Sequence, residues 1–421
     1  MRLYFFLIAS ALSLLAYRSF NIILVWFIVT KSSNSLDLGT IVALMWAFNL
    51  TSLPLVGDSF DRFKKKNILI LGGIFSLSFS LIFLIDVGVY SGSITIISMC
   101  ACVLAVTNSI TTASINTLLP FIATKEQLDK SVSLAATFNS AQSIIGSVIG
   151  GTMIALLGVE PASLVVVSFF LVSLVLILFL SINEKGSVSV DIVQGEKFIS
   201  RITQGFKTLH YIKSEKIICY TAMLNNFVLT PLLMVVLPYY VSRELKSDAT
   251  TLALLESMFA VGMLSGAALI SKLDFNLYKR IYPIVLGNMM IGIGVILFSV
   301  FDWVYIKALG LCISGFGLTV KGVACNSVRV FAVPNSYRGK LEGAILFLCI
   351  GTIPLGSYLF GYFQESFDYE QKYCLIGYMG VIIFFTSFLP IFSKKTRFVL
   401  GQSNQKLDGL YKSMYPSAFK Q

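Results

Sequence analysis

Leu164 to Leu180 reads LVVVSFFLVSLVLILFL, an apolar run broken only by Ser168 and Ser173. A hydrocarbon layer of ~30 Å crossed at ~1.5 Å per residue needs roughly 20 apolar helical residues, and this run with its flanks supplies them. A lipid-facing barrel strand around a wet interior would alternate polar and apolar side chains. No such alternation is present, so the chain spans as α-helices, the other structure that satisfies its own backbone in lipid. Comparable runs lie near 3–30, 38–57, 67–90, 94–119, 131–158, 162–182, 216–242, 250–271, 280–301, 304–332, 341–364 and 371–392. The fold class is therefore an all-α membrane protein with twelve transmembrane helices. Composition agrees: 56% of the 421 residues are hydrophobic and 13% charged, with a mean hydropathy of +0.83. A soluble core could not bury that much apolar surface. The first run has no small-residue cleavage site and reads as a retained helix.

Lysine and arginine set the orientation. Most of the 32 lie on the side holding Arg62 to Lys66, the loop 183–215 and the C-terminal stretch. The other side holds Lys31, Arg243, Lys246, Lys307 and Lys372. Both termini are thus expected in the cytoplasm, with the chain in the cell (inner) membrane of a bacterium. The net charge of +11 follows from this asymmetry and suits anionic membrane lipids, so no nucleic-acid partner is needed. Seven cysteines within the spans, none in a CxxC pair, and the single His210 offer no disulfide framework, metal site or cofactor. Asn49-Leu50-Thr51 fits a glycosylation pattern but falls inside a span.

The one long connection divides the chain. An N-terminal six-helix bundle covers 1–182, a linker 183–215, a C-terminal six-helix bundle 216–392 and a tail 393–421. Within the linker, Phe198, Ile202, Phe206 and Leu209 recur at helical spacing opposite Arg201, Gln204 and Lys207. This predicts an amphipathic helix on the cytoplasmic leaflet. The halves echo each other: Leu118-Leu119-Pro120 precedes a helix with Gly146, Gly150, Gly151 and Gly158, and Val333-Pro334 one with Gly351, Gly356 and Gly361. Two pseudo-symmetric repeats with small residues at helix contacts account for this.

Between the second and third spans lies Gly57-Asp58-Ser59-Phe60-Asp61-Arg62-Phe63-Lys64-Lys65-Lys66. It resembles the G-x-x-x-D-R-x-x-R/K loop of the major facilitator superfamily. That resemblance implies a conformational latch of Gly57, Asp61, Arg62 and Lys65, holding one state of a transporter and releasing in the other. Further stretches resemble the macrolide-efflux and siderophore-exporter branch of drug:proton antiporters. These are Leu118-Leu119-Pro120 with Lys125-Glu126-Gln127-Leu128, Gly146 to Gly151, Gln204-Gly205-Phe206-Lys207, Glu256 with Gly262-Met263-Leu264-Ser265-Gly266, and Tyr337-Arg338-Gly339-Lys340. Two departures stand out. Ser147 occupies the place of the proline usual in that branch's fifth-helix signature, and the second-half loop near Gly266 to Lys272 lacks an Asp-Arg pair.

A charge at mid-bilayer costs on the order of 3 kcal/mol, so each one needs a partner or an aqueous cavity. Arg18 lies roughly 20 Å of helix rise before Lys31, beside a polar stripe of Ser10, Ser13, Tyr17 and Asn21. Lys321 lies deep in the tenth span on the face of Ser314, Gly317 and Cys325. Asn139, Gln142, Gly146 and Gly150 share a face of the fifth. The resemblance implies that the first, fourth and fifth helices and their counterparts border a cavity. The expected substrate pocket is Arg18, Asn21, Asn116, Asn139, Gln142, Asn225 and Lys321, cationic and amide-lined. The alternative is that Arg18 and Lys321 are structural, neutralised by Glu256 or by carbonyls. Arg329 reads as a snorkelling residue near the interface. Glu256 is the expected proton carrier, since a carboxylate moving between wet and dry surroundings exchanges protons.

The expectation is a secondary active transporter, not an enzyme, monomeric, with protons as coupling ion. Its substrate would be a small exported anionic or polyhydroxylated metabolite such as a carboxylate siderophore. Macrolide or multidrug efflux, and lipid flipping by the same fold, are the alternatives.

Overall fold

The structure is a computed structural model that describes residues 2–32, 34–89, 92–122, 145–146, 148–180, 198–273 and 279–419. Within the described residues the apolar runs are helical. The first half holds α1 (Arg2–Lys31), α2 (Ser35–Arg62), α3 (Lys65–Val89), α4 (Ile94–Ile122), α5 (Val148–Leu157) and α6 (Val159–Phe179). A linker helix, Phe198–Tyr211, follows. The second half holds α7 (Lys213–Glu244), α8 (Ala249–Ile270), α9 (Ile281–Val300), α10 (Val304–Ala332), α11 (Asn335–Ser366) and α12 (Tyr369–Phe392). Among the described residues, eleven helices are long and apolar enough to cross a membrane, and α5 is a shorter apolar one. This is the twelve-span all-α fold expected from the sequence.

Local chemistry sets the breaks. Asn34 caps α2 by accepting from the Leu36 amide at 2.8 Å. The turn between α3 and α4 closes on Gly92 at φ 73°, with Asp86 accepting from the Ser93 amide at 2.7 Å and Lys31 donating to the Gly92 carbonyl at 2.6 Å. In α7, Pro231 and Pro238 remove amide donors, and the helix widens into π-turns at Leu232–Val236 and Tyr240–Glu244.

Lipid provides no hydrophobic drive between helices, so close backbone approach must hold them. Accordingly, a Cβ on Gly262 of α8 would sit 1.9 Å from the Cys312 carbonyl oxygen of α10, and one on Gly294 of α9 2.3 Å from that of Gly310.

Packing divides the chain into two compact units, and the division runs through α7, α8 and α11. Unit 1 takes residues 1–194 with 233–254 and 357–365. Inside it, Arg243 donates to the carbonyls of Val29 (3.2 Å) and Ser32 (2.7 Å) at the α1 C-terminus, where a cation is favoured. Tyr239 donates to the Asn34 carbonyl at 3.0 Å, and Glu365 accepts from the Ser35 amide at 2.7 Å.

Unit 2 takes residues 195–232, 255–356 and 366–421. Its core joins Ile218, Ile284, Val328 and Ile345 of the spans to Val399, Leu400, Leu407 and Tyr411 of the tail. The tail is folded, with short helices at Lys394–Leu400, Asn404–Leu407 and Leu410–Met414. Two buried polar anchors fasten it. Tyr411 donates to Glu215 Oε1 at 2.9 Å and accepts from Ser214 Oγ at 2.9 Å. Burial and the neighbouring Glu215 carboxylate push its phenol well above the ordinary range, which keeps it a donor. Arg280 donates to Ser327 Oγ (2.9 Å), the Gln402 carbonyl (2.9 Å) and Asn404 Oδ1. The linker helix buries Gly205, Thr208 and Leu209, setting Phe206 edge-on to Phe347 of α11 and Thr208 against the Ala418 carbonyl.

Candidate functional site

The polar face of α10 carries Ser314, Gly317, Lys321 and Cys325, and each of them is buried. Turning that face inward avoids placing an ammonium against lipid. Lys321 is 4% exposed. Its Nζ donates to Thr221 Oγ1 of α7 at 2.9 Å and to Asn288 Oδ1 of α9 at 2.7 Å. The Asn225 amide fits best with its oxygen accepting from Nζ at 2.9 Å and its nitrogen donating to the Thr221 carbonyl at 3.0 Å. Asn288 is fixed in turn by donating to the Ile383 carbonyl at 2.9 Å. Neutral oxygens of Thr221, Asn288 and Asn225 thus surround the ammonium. Among the described residues no carboxylate lies within ion-pair distance of Lys321, so its positive charge is uncompensated.

Lys321 borders a cavity of about 520 Å³ whose wall also includes Asn225, Asn226, Asn326, Arg329 and Cys349. Arg329 brings no free charge, because its Nε pairs with Glu215 Oε2 at 2.8 Å. Read from sequence as snorkelling, Arg329 is instead buried and ion-paired. The acidic residue of the wall, Glu342, is exposed. The cavity therefore offers a fixed cation, several amides and an apolar remainder of Ile218, Leu318, Ile345 and Leu346.

Unit 1 has a smaller cavity of about 190 Å³, lined by Tyr17, Arg18, Asn21, Trp46, Asn49 and Asn108 among others. The α1 stripe faces inward as expected: Ser10, Ser13 and Asn21 are buried, and Ser13 meets Thr111 of α4 at 3.3 Å. Gly146 lies over the Arg18 stem, where a Cβ would come within 2.7 Å of Arg18 Cβ. The Asn21 carboxamide oxygen is buried with no hydrogen-bond partner among the described residues.

The sequence-derived pocket residues thus fall into two groups. Arg18 and Asn21 share the unit 1 cavity, and Asn225 and Lys321 share that of unit 2. Asn116 belongs to α4, though its side chain lies outside the described residues, as do Asn139 and Gln142 entirely. Glu256 is buried in α8 and is not part of the Lys321 cavity wall. Gly57, Asp61 and Arg62 form the last turns of α2, with side chains outside the described residues, and Lys65 opens α3. Sequence reasoning missed Thr221, Asn288 and Glu215. Asn288 carried a usable signal as the lone amide in the otherwise apolar α9.

Residues 6–353 match the profile of the family described as Major Facilitator Superfamily. No curated protein matches the sequence. Among solved structures, the nucleoside transporter NupG superposes with a TM-score of 0.73 at 13% identity, covering 93% of this chain and 100% of its own. A D-xylose-proton symporter does so at 0.72 and 15%, covering 94% and 98%. A bacterial homologue of the human lysosomal transporter Spinster, in an inward-facing and unoccupied conformation, does so at 0.68 and 14%, covering 99% and 96%.

Proposed function

Because the chain belongs to the major facilitator superfamily, we propose that it is a secondary active transporter whose substrate is a small anionic, oxygen-rich or polyhydroxylated solute. One observation carries this reading: Lys321, deep in α10, is held by Thr221, Asn288 and Asn225 with no carboxylate partner among the described residues, at the wall of a cavity of about 520 Å³. Three neutral oxygens fix the ammonium in place without neutralising its charge, so an entering anion gains a charge-assisted hydrogen bond by displacing one of them. The amides of Asn225, Asn226 and Asn326 suit hydroxyl and carboxyl oxygens. A cationic drug would meet repulsion from the same ammonium. The names of two structural relatives state transport of nucleosides and of D-xylose with protons, both polyhydroxylated solutes.

Within that class our reading is a carboxylate siderophore, exported across a bacterial inner membrane against proton entry: the motifs resemble the macrolide-efflux and siderophore-exporter branch, and the cationic Lys321 favours an anion over a macrolide. Glu256, buried in α8, is its proton carrier. Asp61 and Arg62, at the end of α2, are its latch. Each proton moving down 100 mV supplies ~2.3 kcal/mol, enough to drive accumulation.

Uptake of candidate solutes into everted vesicles tests the reading. Accumulation of a carboxylate-rich solute that collapses with an uncoupler is expected. Glu256→Gln should lose gradient-driven uptake while keeping solute exchange, and Asp61→Asn should shift cysteine accessibility between the two faces. Flux indifferent to the proton gradient would overturn the coupling. Equal flux of cationic and anionic solutes would overturn the substrate class.

A further inference from the structure

Beside the tail of unit 2 lies a second cavity of about 520 Å³, lined by Lys279, Tyr282, Val285 and Leu286 at the start of α9 and by Arg397 and Phe398 of the tail. It is separate from the wall that holds Lys321. Arg280 locks its two walls together by reaching from the foot of α9 to the Gln402 carbonyl and Asn404 in the tail. The Lys279 stem packs toward Gly401, where a Cβ would lie 3.9 Å from Lys279 Cδ. Lys279 and Arg397 are exposed, and no acidic residue lines the groove among the described residues. Its apolar side is uncovered: Tyr282 is 59%, Leu286 54% and Phe398 53% exposed. Such a patch, beside the end of a membrane span, suits acyl chains.

Two cations at one end of a groove and lipid-facing aromatic and aliphatic side chains at the other match one kind of molecule. We propose that this groove binds an anionic phospholipid of the leaflet on the tail side, its phosphate between Lys279 and Arg397 and its acyl chains over Tyr282, Leu286 and Phe398. Because Arg280 ties the same tail segment to α9, a bound lipid would fasten the tail to the bundle from the membrane side.

Native mass spectrometry of the full-length protein, with phosphatidylglycerol and phosphatidylcholine of identical chains, tests this. Each basic group near an anionic surface contributes about a fivefold preference, so two give roughly 25-fold for the anionic lipid. The Lys279→Gln/Arg397→Gln double variant should lose that preference. Lys406→Gln/Lys412→Gln, which removes the same charge from exposed positions of the same tail, should keep it. Equal retention of both lipids by the wild type, an unchanged preference in the Lys279/Arg397 variant, or an equal loss in the control pair would each overturn the proposal. Displacement of phosphatidylglycerol by soluble glycerol phosphate at the same concentration would assign the cations to free phosphate instead.

Discussion

Changing Lys321 to Gln separates a solute-binding cation from a structural one, because the two roles move stability and binding differently. The substitution removes an uncompensated buried charge, which returns on the order of 3 kcal/mol to the folded membrane protein. It also takes a donor from Thr221 Oγ1, Asn288 Oδ1 and the Asn225 amide. A buried acceptor left unmade costs ~1–3 kcal/mol, and the Gln amide can serve only part of the set. The two contributions are of similar size and opposite sign, so the melting temperature should change by only a few degrees. Binding has no such offset. Loss of a hydrogen bond to a charged group removes ~1.5–3 kcal/mol, about 10- to 150-fold in Kd for an anionic solute. Lys321→Arg keeps the charge and should retain part of the affinity. Solute-induced thermal stabilisation of purified protein, with vesicle uptake normalised to folded protein, reads both quantities. A fall in melting temperature well beyond ten degrees, with uptake per folded molecule unchanged, would refute the reasoning and make Lys321 a structural residue.

Arg18→Gln should weaken uptake of anionic solutes by about tenfold, at the lower end of the range for a charged hydrogen bond, with normal insertion. Unchanged uptake kinetics would remove Arg18 from the solute path. Glu215→Gln breaks a buried pair and leaves Arg329 uncompensated, for which ~3–5 kcal/mol of destabilisation is expected. It also weakens the seat of Tyr411, so limited proteolysis should release the tail before the spans unfold. Gly262→Val would place a side chain where the Cys312 carbonyl already lies 1.9 Å from a Cβ. The yield of folded protein should fall sharply, while Gly339→Ala, with nothing within 4 Å, should leave it unchanged.

The sequence by itself determined the spanning segments, because a stretch such as Leu164 to Leu180 has nowhere to go but lipid and must satisfy its backbone as a helix. The same reasoning marked Arg18, Asn21, Asn225 and Lys321, since polar groups inside a span are costly unless they face polar surroundings. It also placed a helix in the linker over Phe198 to Leu209, where apolar residues recur at helical spacing. Only the tertiary structure decided which partners those groups meet. Glu215 and Arg329 are separated by more than a hundred residues yet share a bond of 2.8 Å. Thr221 and Asn288 converge on Lys321 from two different helices. The tail reads as a basic, polar segment, but Val399, Leu400, Leu407 and Tyr411 pack into the core of unit 2. Periodicity reports which face of a helix is apolar, whereas the choice of opposing helix depends on close backbone approach at residues such as Gly262 and Gly294. That choice depends on residues far apart in the chain, so no local pattern carries it.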